Sequence, residues 1–191
     1  MTVFSMLVLA VLILIVVYAI VAYNNLVNLK HNVSKAWANI DVLLKQRHDE
    51  IPKLVETCKH YMKFEQSTLE KVMQARAQVS SAREAHDIGA LGRAEGALRA
   101  GLGSLFAVAE AYPELKSNEQ FLHLHGRISN LENAIADRRE FYNESVNINN
   151  VRVEQFPDNM IGNLFRFRVA RLLEFASAEK ADVDVRGLFT R

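Results

Sequence analysis

The sequence predicts an all-α protein in which one N-terminal transmembrane helix continues into an antiparallel four-helix bundle of long helices. Three observations predict this class. An uncharged apolar run forms the N-terminus, apolar residues recur at helical spacing through most of the remaining chain, and the 191 residues include only 8 glycines and 3 prolines. A chain with so few helix breakers can form long helices, and no segment shows the sustained apolar–polar alternation typical of a strand.

The first element is the anchor. Residues 1–29 carry no charged side chain, and residues 3–22 are almost continuously apolar. A helix of that length spans about 30 Å, the thickness of a bilayer's hydrocarbon core. Tyr18 and Tyr23 stand where an aromatic belt is expected. A cleaved signal peptide is the alternative, but such peptides have a basic start and a shorter apolar run. Residues 1–23 are therefore predicted to be a transmembrane anchor.

The orientation of the anchor follows from its basic flank. No Lys or Arg precedes the apolar run, whereas Lys30, Lys35, Lys45 and Arg47 follow it. The positive-inside rule then predicts a single-pass protein of the inner membrane, with its N-terminus outside and the bundle in the cytoplasm. Cys58 is the only cysteine, so no intrachain disulfide can form, which is compatible with a reducing compartment. The net charge of +1 gives no support to nucleic-acid binding.

The first two bundle helices are predicted from a stripe of apolar residues at helical spacing and from the polar residues 46–49 that interrupt it. The anchor helix is expected to continue to about residue 46, and Asp49 is expected to cap a second helix over about residues 50–85, with Pro52 in its first turn. Apolar residues at heptad positions support the first of these helices: Leu26, Leu29, Val33, Ala36, Ile40 and Leu43.

Two further helices complete the predicted bundle. A third is expected over about residues 90–111, in a region rich in glycine that indicates close packing over small residues. The capping box of residues 117–120 opens the fourth, which is expected to end near Pro157. The bundle is thereby assigned to residues 24–158, and residues 159–191 become a membrane-proximal segment and tail.

Several blocks of the chain resemble the LemA family. These are Tyr23–Val27 (YNNLV), Ala36–Asp49 (AWANIDVLLKQRHD), Ile51–Thr57 (IPKLVET) and the later Arg138–Asn143 (RREFYN). The resemblance covers nearly the whole chain from Tyr23 to Gly162, and the tail after Gly162 matches least. It implies a bacterial membrane protein with an N-terminal anchor and a bundle of long helices. The family has no agreed biochemical activity, and its links to membrane remodelling and envelope quality control are only suggestive.

Three groups of polar or reactive residues are candidate sites. Residues 47–50 (RHDE) form the densest one, which is interpreted as a capped, solvated corner between two helices; a hydrolase site there is the alternative from another functional class. His123 and His125 diverge on a helix, so no metal site is predicted there. The sequence has no dinucleotide-binding fingerprint, and no cofactor is predicted. Cys58 lies on an apolar stripe and is predicted to be a core residue.

Four residues are predicted to contact another helix or a partner: Trp37, Asn24, Asn143 and Tyr142. Trp37 is the only tryptophan, and it either anchors a partner or packs inside the bundle. The pair Tyr23-Asn24 is echoed by Tyr142-Asn143, so asparagines on the first and fourth helices would meet near the bilayer and set the register. Exposed asparagines that only weaken a helix end are the equally weighted alternative.

The C-terminal segment is predicted to contact the membrane surface. An even number of antiparallel helices returns the chain to the side from which it started, so residues 163–175 are expected to form an interfacial helix beside the lipid. A segment folded back on the bundle is the alternative, and residues after Glu179 are expected to form a mobile polar tail. The predicted contacts are Phe165, Val169 and Leu172 on an apolar face, with Arg166, Arg168 and Arg171 facing anionic head groups.

These observations favour a non-enzymatic, membrane-anchored scaffold or interaction protein that self-assembles and acts in membrane organisation or remodelling. Its expected partners are the lipid bilayer, further copies of the same chain and, as a further option, another membrane protein. The alternative is an adaptor or regulator of a membrane protease or an envelope stress complex.

Overall fold

A computed structural model describes residues 3–175, and all regular structure in this range is helical. This confirms the all-helical class and the long apolar N-terminal helix. The helices are α1 (Val3–Tyr61), α2 (Gln66–Glu84), α3 (Ile88–Ala109), α4 (Pro113–Lys116), α5 (Glu119–Glu154) and α6 (Asp158–Leu164).

The described chain divides into two compact units. Residues 3–43 and 134–172 form one, called here the anchor unit, and residues 44–133 and 173–175 belong to the other, called here the core unit. Helices α1 and α5 each contribute residues to both. The predicted domain boundaries at residues 23 and 158 separate the parts of the chain by their expected position relative to a membrane, whereas the two units are defined by their internal contacts. The predicted boundaries therefore stay predictions.

The predicted break between the first two helices is wrong, because α1 continues through Asp49 and Pro52 to Tyr61. Proline in a helix interior removes the hydrogen bond to the carbonyl four residues earlier, here that of His48. Arg76 of α2 supplies the missing donor, since its Nε lies 2.9 Å from the His48 carbonyl oxygen. A side chain from another helix therefore compensates for the proline, and Asp49 caps no helix.

The chain instead turns at residues 62–65, a break that the sequence does not announce with Gly or Pro. The Met62 and Glu65 amides still bond to Cys58 and Met62 carbonyls, at 2.8 and 3.2 Å. Phe64 at the tip is 94% exposed, which marks a surface turn. Cys58, just before it, is fully buried as predicted, and burial raises the pKa of its thiol to about 12.

Two glycines of α3 permit close approaches of different kinds. A Cβ on Gly101 would lie 3.4 Å from a methyl of Val72, so this glycine brings α3 close to α2. A Cβ on Gly92 would overlap the backbone carbonyl of Glu174, so residues 173–175 lie directly on α3 at this point. The expected packing over small residues is thus present, and at Gly92 the packed group is non-helical backbone.

The start of α5 lies near the predicted position but has a different cap. The side chain of Asn118 accepts a hydrogen bond from the Phe121 amide at 2.9 Å, so Asn118 acts where Ser117 was expected. Ser117 instead donates to the carbonyl of Glu114 at 3.1 Å. The predicted boundary near Pro157 is confirmed, since α5 ends at Glu154.

The interfacial helix expected over residues 163–175 is wrong, because α6 ends at Leu164 and residues 165–175 have no helix or strand. Hydrogen bonds with Asn150 and Tyr142 of α5 hold the backbone of this segment in a non-helical conformation. The tail after Glu179, expected to be mobile, lies outside the described residues.

Candidate functional site

The candidate site is the part of the anchor unit that follows the exposed apolar start of α1, where the side chains of α1 become buried. Within residues 3–175, α1 is the one helix long and apolar enough to cross a membrane. Residues 3–18 are all exposed, whereas Ala22 and Leu26 are buried. A helix that is apolar all round and uncovered is typical of a segment that spans a membrane. The buried contacts of the anchor unit begin at the end of this stretch.

The first of those contacts is polar. The Tyr18 hydroxyl donates to Oδ1 of Asp158 at 2.5 Å, and Arg152 Nε lies 2.5 Å from Oδ2 of the same carboxylate. Asp158 is buried. A buried carboxylate is tolerated when it is paired and hydrogen-bonded, and here both oxygens have partners. The pairing fixes the start of α6 beside Tyr18.

Short helix α6 presents apolar side chains to the outside. Met160 and Leu164, one helical turn apart, are 63% and 72% exposed, and Phe156 just before the helix is 74% exposed. These exposed side chains flank Asp158, the residue that bonds to Tyr18. An apolar patch beside the apolar start of α1 is the arrangement expected of residues at a lipid interface.

Residues 165–172, called here the strap, return along the anchor unit as irregular chain. Tyr23 contacts the rings of Phe165 and Phe167 edge-on, with centroids 4.8 and 5.8 Å away. Asn150 then holds the strap backbone on both sides: its Oδ1 accepts from the Ala170 amide at 2.8 Å, and its Nδ2 donates to the Ala170 carbonyl at 2.9 Å. These contacts satisfy backbone groups that a helix would have satisfied internally.

Tyr142 completes the attachment of the strap. Its hydroxyl donates to the carbonyl of Arg171 at 3.0 Å, and burial raises the pKa of this phenol. The ring of Tyr142 also meets Trp37 at a centroid distance of 5.9 Å. The structure thus brings together two of the four residues predicted as interhelical or partner contacts. Of the other two, Asn24 is exposed and Asn143 is half-buried.

The strap and α1 enclose a groove of about 650 Å³. Tyr23, Phe165 and Phe167 form its aromatic part. Its charged and ionisable lining is basic, comprising Lys30, His31, Arg166 and Arg168, and none of the described lining residues is acidic.

The residues predicted to face the membrane all lie on the strap, and the structure spreads them differently from a helix. Arg166 and Arg168 line the groove, whereas Arg171 does not. Phe165 and Leu172 are about half exposed, although one face of Phe165 contacts Tyr23. Membrane contact by these residues stays a prediction, and it now concerns an irregular segment instead of a helix.

The core unit contains a second polar feature, an ion-pair cluster around Arg47, which was predicted to be solvated. Arg47 is 1% exposed and forms ion pairs with Glu95 of α3 and Glu132 of α5. Arg99 approaches Glu132 at 3.7 Å from the surface. The interpretation of residues 47–50 as a solvated corner is therefore wrong, because Arg47 is enclosed by three helices.

The electrostatics of this cluster follow from burial and pairing. Burial lowers the pKa of Arg47, but the adjacent carboxylates of Glu95 and Glu132 more than offset this and raise it. Burial raises the pKa of Glu95, and Arg47 opposes that shift. The cluster closes an interhelical contact and exposes no face of Arg47 to a substrate. In the described range, no three His, Cys, Asp or Glu side chains are placed to hold a metal ion.

Sequence reasoning missed several residues of the site for different reasons. Arg47 falls between Leu44 and Ile51 at helical spacing, so its position on the buried face was visible in the stripe. Tyr18 was assigned only to the aromatic belt. Asp158 and Asn150 gave no local signal, because their partners are distant in sequence.

Comparisons with known proteins identify the family. The sequence model of the LemA family matches residues 36–186. Magnetosome protein MamQ 1 and Magnetosome protein MamQ 2 of Paramagnetospirillum magneticum are each 25% identical over 175 residues, which cover 80% of this chain and 64% of the relative. Magnetosome protein MamQ of Magnetospirillum gryphiswaldense is 23% identical over 169 residues, covering 76% and 62%. The chain therefore spans less than two thirds of the length of these relatives. From the extent of the family match, the chain belongs to the LemA family.

Proposed function

We propose that this protein is a non-enzymatic scaffold anchored in the inner membrane by α1, and that copies of it associate through α5. On this proposal the core unit is an antiparallel four-helix bundle in the cytoplasm. Four helical segments support the bundle, since Arg47 links α1 to α3 and α5, Arg76 links α2 to α1, and the ring of Phe106 on α3 meets His125 of α5 at 4.3 Å.

The single observation that carries the scaffold proposal is a second apolar stripe on α5. The inward stripe of this helix contains Ile135, Tyr142 and Val146, all buried. A separate set, Phe141, Ile148 and Val151, recurs at intervals of seven and three residues. These three side chains are 50%, 48% and 53% exposed. A helix with one buried and one uncovered apolar stripe has a surface suited to another helix, and a second copy held in the same membrane is the partner proposed.

Membrane attachment is supported by the exposed apolar stretch of residues 3–17 and by the contacts that follow it. Cleavage of a signal peptide near Ala22 would remove Tyr18, which bonds to Asp158, and would expose the surface that covers Ala22. The fold therefore uses the end of the apolar run, which favours a retained anchor. The relatives are named for a cellular body, the magnetosome, rather than for a reaction, which fits an assembly role.

Attachment is tested by extracting membranes with alkaline carbonate. The full chain should stay in the pellet and enter solution only with detergent. Protease treatment of sealed right-side-out vesicles should leave the core unit intact, whereas inside-out vesicles should lose it. Release by carbonate would contradict the anchor, and digestion in right-side-out vesicles would contradict the orientation.

Self-association is tested by measuring particle mass in a mild detergent. The native chain should form particles of several copies, and the double variant Phe141→Asp/Ile148→Asp should form single copies because charge is placed on the exposed stripe. Asn147→Asp, which adds one charge at an exposed α5 position beside the stripe, is the matched control and should leave the mass unchanged. A native chain that is a single copy even in native-membrane nanodiscs would refute the scaffold.

A further inference from the structure

We propose that the basic groove between the strap and α1 binds the phosphate of one anionic phospholipid head group. The proposal rests on the membrane attachment proposed above, and it adds a defined lipid site to it. The groove has a volume of about 650 Å³, comparable to pockets that bind small molecules. The lipid is expected to place its phosphate among the basic side chains and the first part of its tails against the aromatic ones.

Unbalanced charge is the first argument. Lys30, Arg166 and Arg168 line the groove, and none of them forms an ion pair with a described acidic residue, in contrast to Arg47 and Arg152 elsewhere. All three side chains are exposed, and grouped cations without a counter-charge create a local positive potential that attracts an anion. Arginine guanidinium groups match the geometry of phosphate oxygens, so phosphate is the anion this set recognises best.

The position of the groove along α1 supplies the second argument. Lys30 lies eight residues after Ala22, or about 12 Å along the helix, which places its Cα just beyond the head-group layer. Side chains of a helix lean towards its N-terminus, so Lys30 leans back towards the lipid. Tyr23 directly follows Ala22 on α1, and Phe165 of the strap packs against it, at a level where aromatic rings favour the interface. The basic groups are thus within reach of a head group from the adjacent leaflet.

Arg166 itself stands in the left-handed cap that ends α6. Its φ is 60°, its amide lies 3.3 Å from the Asn163 carbonyl oxygen, and the Phe167 amide lies 2.9 Å from the Gly162 carbonyl oxygen. Glycine is the usual residue at a cap of this kind. The cap turns the chain from α6 into the strap, so that Arg166, Phe167 and Arg168 all line the groove.

The test measures lipid retention by native mass spectrometry of the full chain in a non-ionic detergent. Phosphatidylglycerol should bind as one copy per chain, and phosphatidylcholine, whose phosphate is neutralised by choline, should bind at least tenfold more weakly. Arg166→Gly with Arg168→Gln should lower phosphatidylglycerol binding at least tenfold. Because glycine favours the left-handed cap conformation at this position, the thermal midpoint of Arg166→Gly should not fall. Loss of binding with retained stability separates a ligand-binding role from a structural one.

Arg171→Gln is the matched control, since Arg171 is an exposed arginine of the same strap outside the groove. It should bind phosphatidylglycerol within twofold of the native chain. Equal loss in this control would overturn the groove in favour of diffuse surface charge, and unchanged binding in the double variant would overturn it outright. Inorganic phosphate at millimolar concentration should fail to displace the lipid; full displacement would assign the site to a free anion instead. Binding in detergent does not depend on carbonate resistance, so failure of the lipid site and failure of the anchor are distinguishable.

Discussion

Apart from the ion pair of Asp158 with Arg152 in the anchor unit, the helices of the core unit and the strap of the anchor unit are held by different kinds of buried polar group. In the core unit, Arg47 and Glu95 are charged groups that neutralise each other within the packed helices. In the anchor unit, Asn150 and Tyr142 use neutral side chains to hold the backbone of the strap. The first arrangement fixes which faces of three helices meet, since a mismatched register would leave a charge unpaired. The second holds an irregular segment beside α1, where the basic groove forms.

The largest effect is expected from breaking the charged arrangement. Arg47→Met should lower the free energy of unfolding by about 3–5 kcal/mol, because it leaves Glu95 buried without its ion-pair partner and leaves Glu132 with only the more distant Arg99. Thermal unfolding of the full chain in detergent, followed by circular dichroism, measures it. Arg99→Met, at the exposed edge of the same cluster, is the control and should cost less than about 1 kcal/mol.

The triple variant Arg47→Met/Glu95→Leu/Glu132→Leu should recover most of the stability lost by Arg47→Met, because no buried charge then lacks a partner. A loss below about 1 kcal/mol for Arg47→Met alone would show that the cluster is hydrated, and the contrast between the units would then fail.

A second prediction concerns the steric contact that holds residues 173–175 in the core unit. Gly92→Ala should lower the free energy of unfolding by about 1–3 kcal/mol, because its methyl overlaps the carbonyl of Glu174. Gly103→Ala should be neutral or stabilising by up to about 1 kcal/mol, since nothing lies within 4 Å of its Cβ and alanine favours a helix. Equal stability of the two variants in thermal unfolding would place residues 173–175 away from α3.

A third prediction sharpens the description of the anchor unit. Asn150→Ala should release the strap while leaving the core unit folded, because the Ala170 amide and carbonyl lose their partner. Hydrogen–deuterium exchange should show faster exchange in residues 165–172, by a factor corresponding to about 1–3 kcal/mol at the Ala170 amide. Asn147→Ala, on an exposed face of α5, should not change it. Uniform protection in both variants would show that aromatic contacts alone hold the strap.

The smallest expected effect is a pH dependence in the core unit. Arg76 Nη2 lies 2.6 Å from His48 Nε2, which requires a neutral imidazole that accepts at this nitrogen. Burial and the charge of Arg76 lower the pKa of His48, so the unfolded chain binds the proton more readily. Stability should therefore be lost as pH falls through about 6.5, the pKa of the unfolded residue.

His48→Gln keeps an acceptor but cannot titrate. Between pH 7.5 and 5.5 the native chain should lose up to about 1 kcal/mol more stability than this variant, measured by thermal unfolding at both pH values. A larger loss in the variant would reverse the sign and show that protonated His48 is tolerated beside Arg76.

The sequence predicted the long helices well where apolar spacing was continuous. The stripe expected at Leu26, Ala36 and Ile40 is fully buried or nearly so. It then shifts from Leu43 to Leu44, because a straight helix of 3.6 residues per turn drifts from a strict heptad. Following that drift leads directly to Arg47, a charged residue on the buried face that was mistaken for a break.

Local patterns thus determined that this chain is helical, where its apolar start lies and which faces are buried, since these depend on residues a few positions apart. Tertiary structure decided the rest. Pro52 stays within α1 because Arg76 supplies its missing donor, and residues 165–172 are irregular because Asn150 and Tyr142 satisfy their backbone from α5. In both cases the deciding hydrogen bond joins residues about twenty or more positions apart, a distance at which spacing and propensity carry no information.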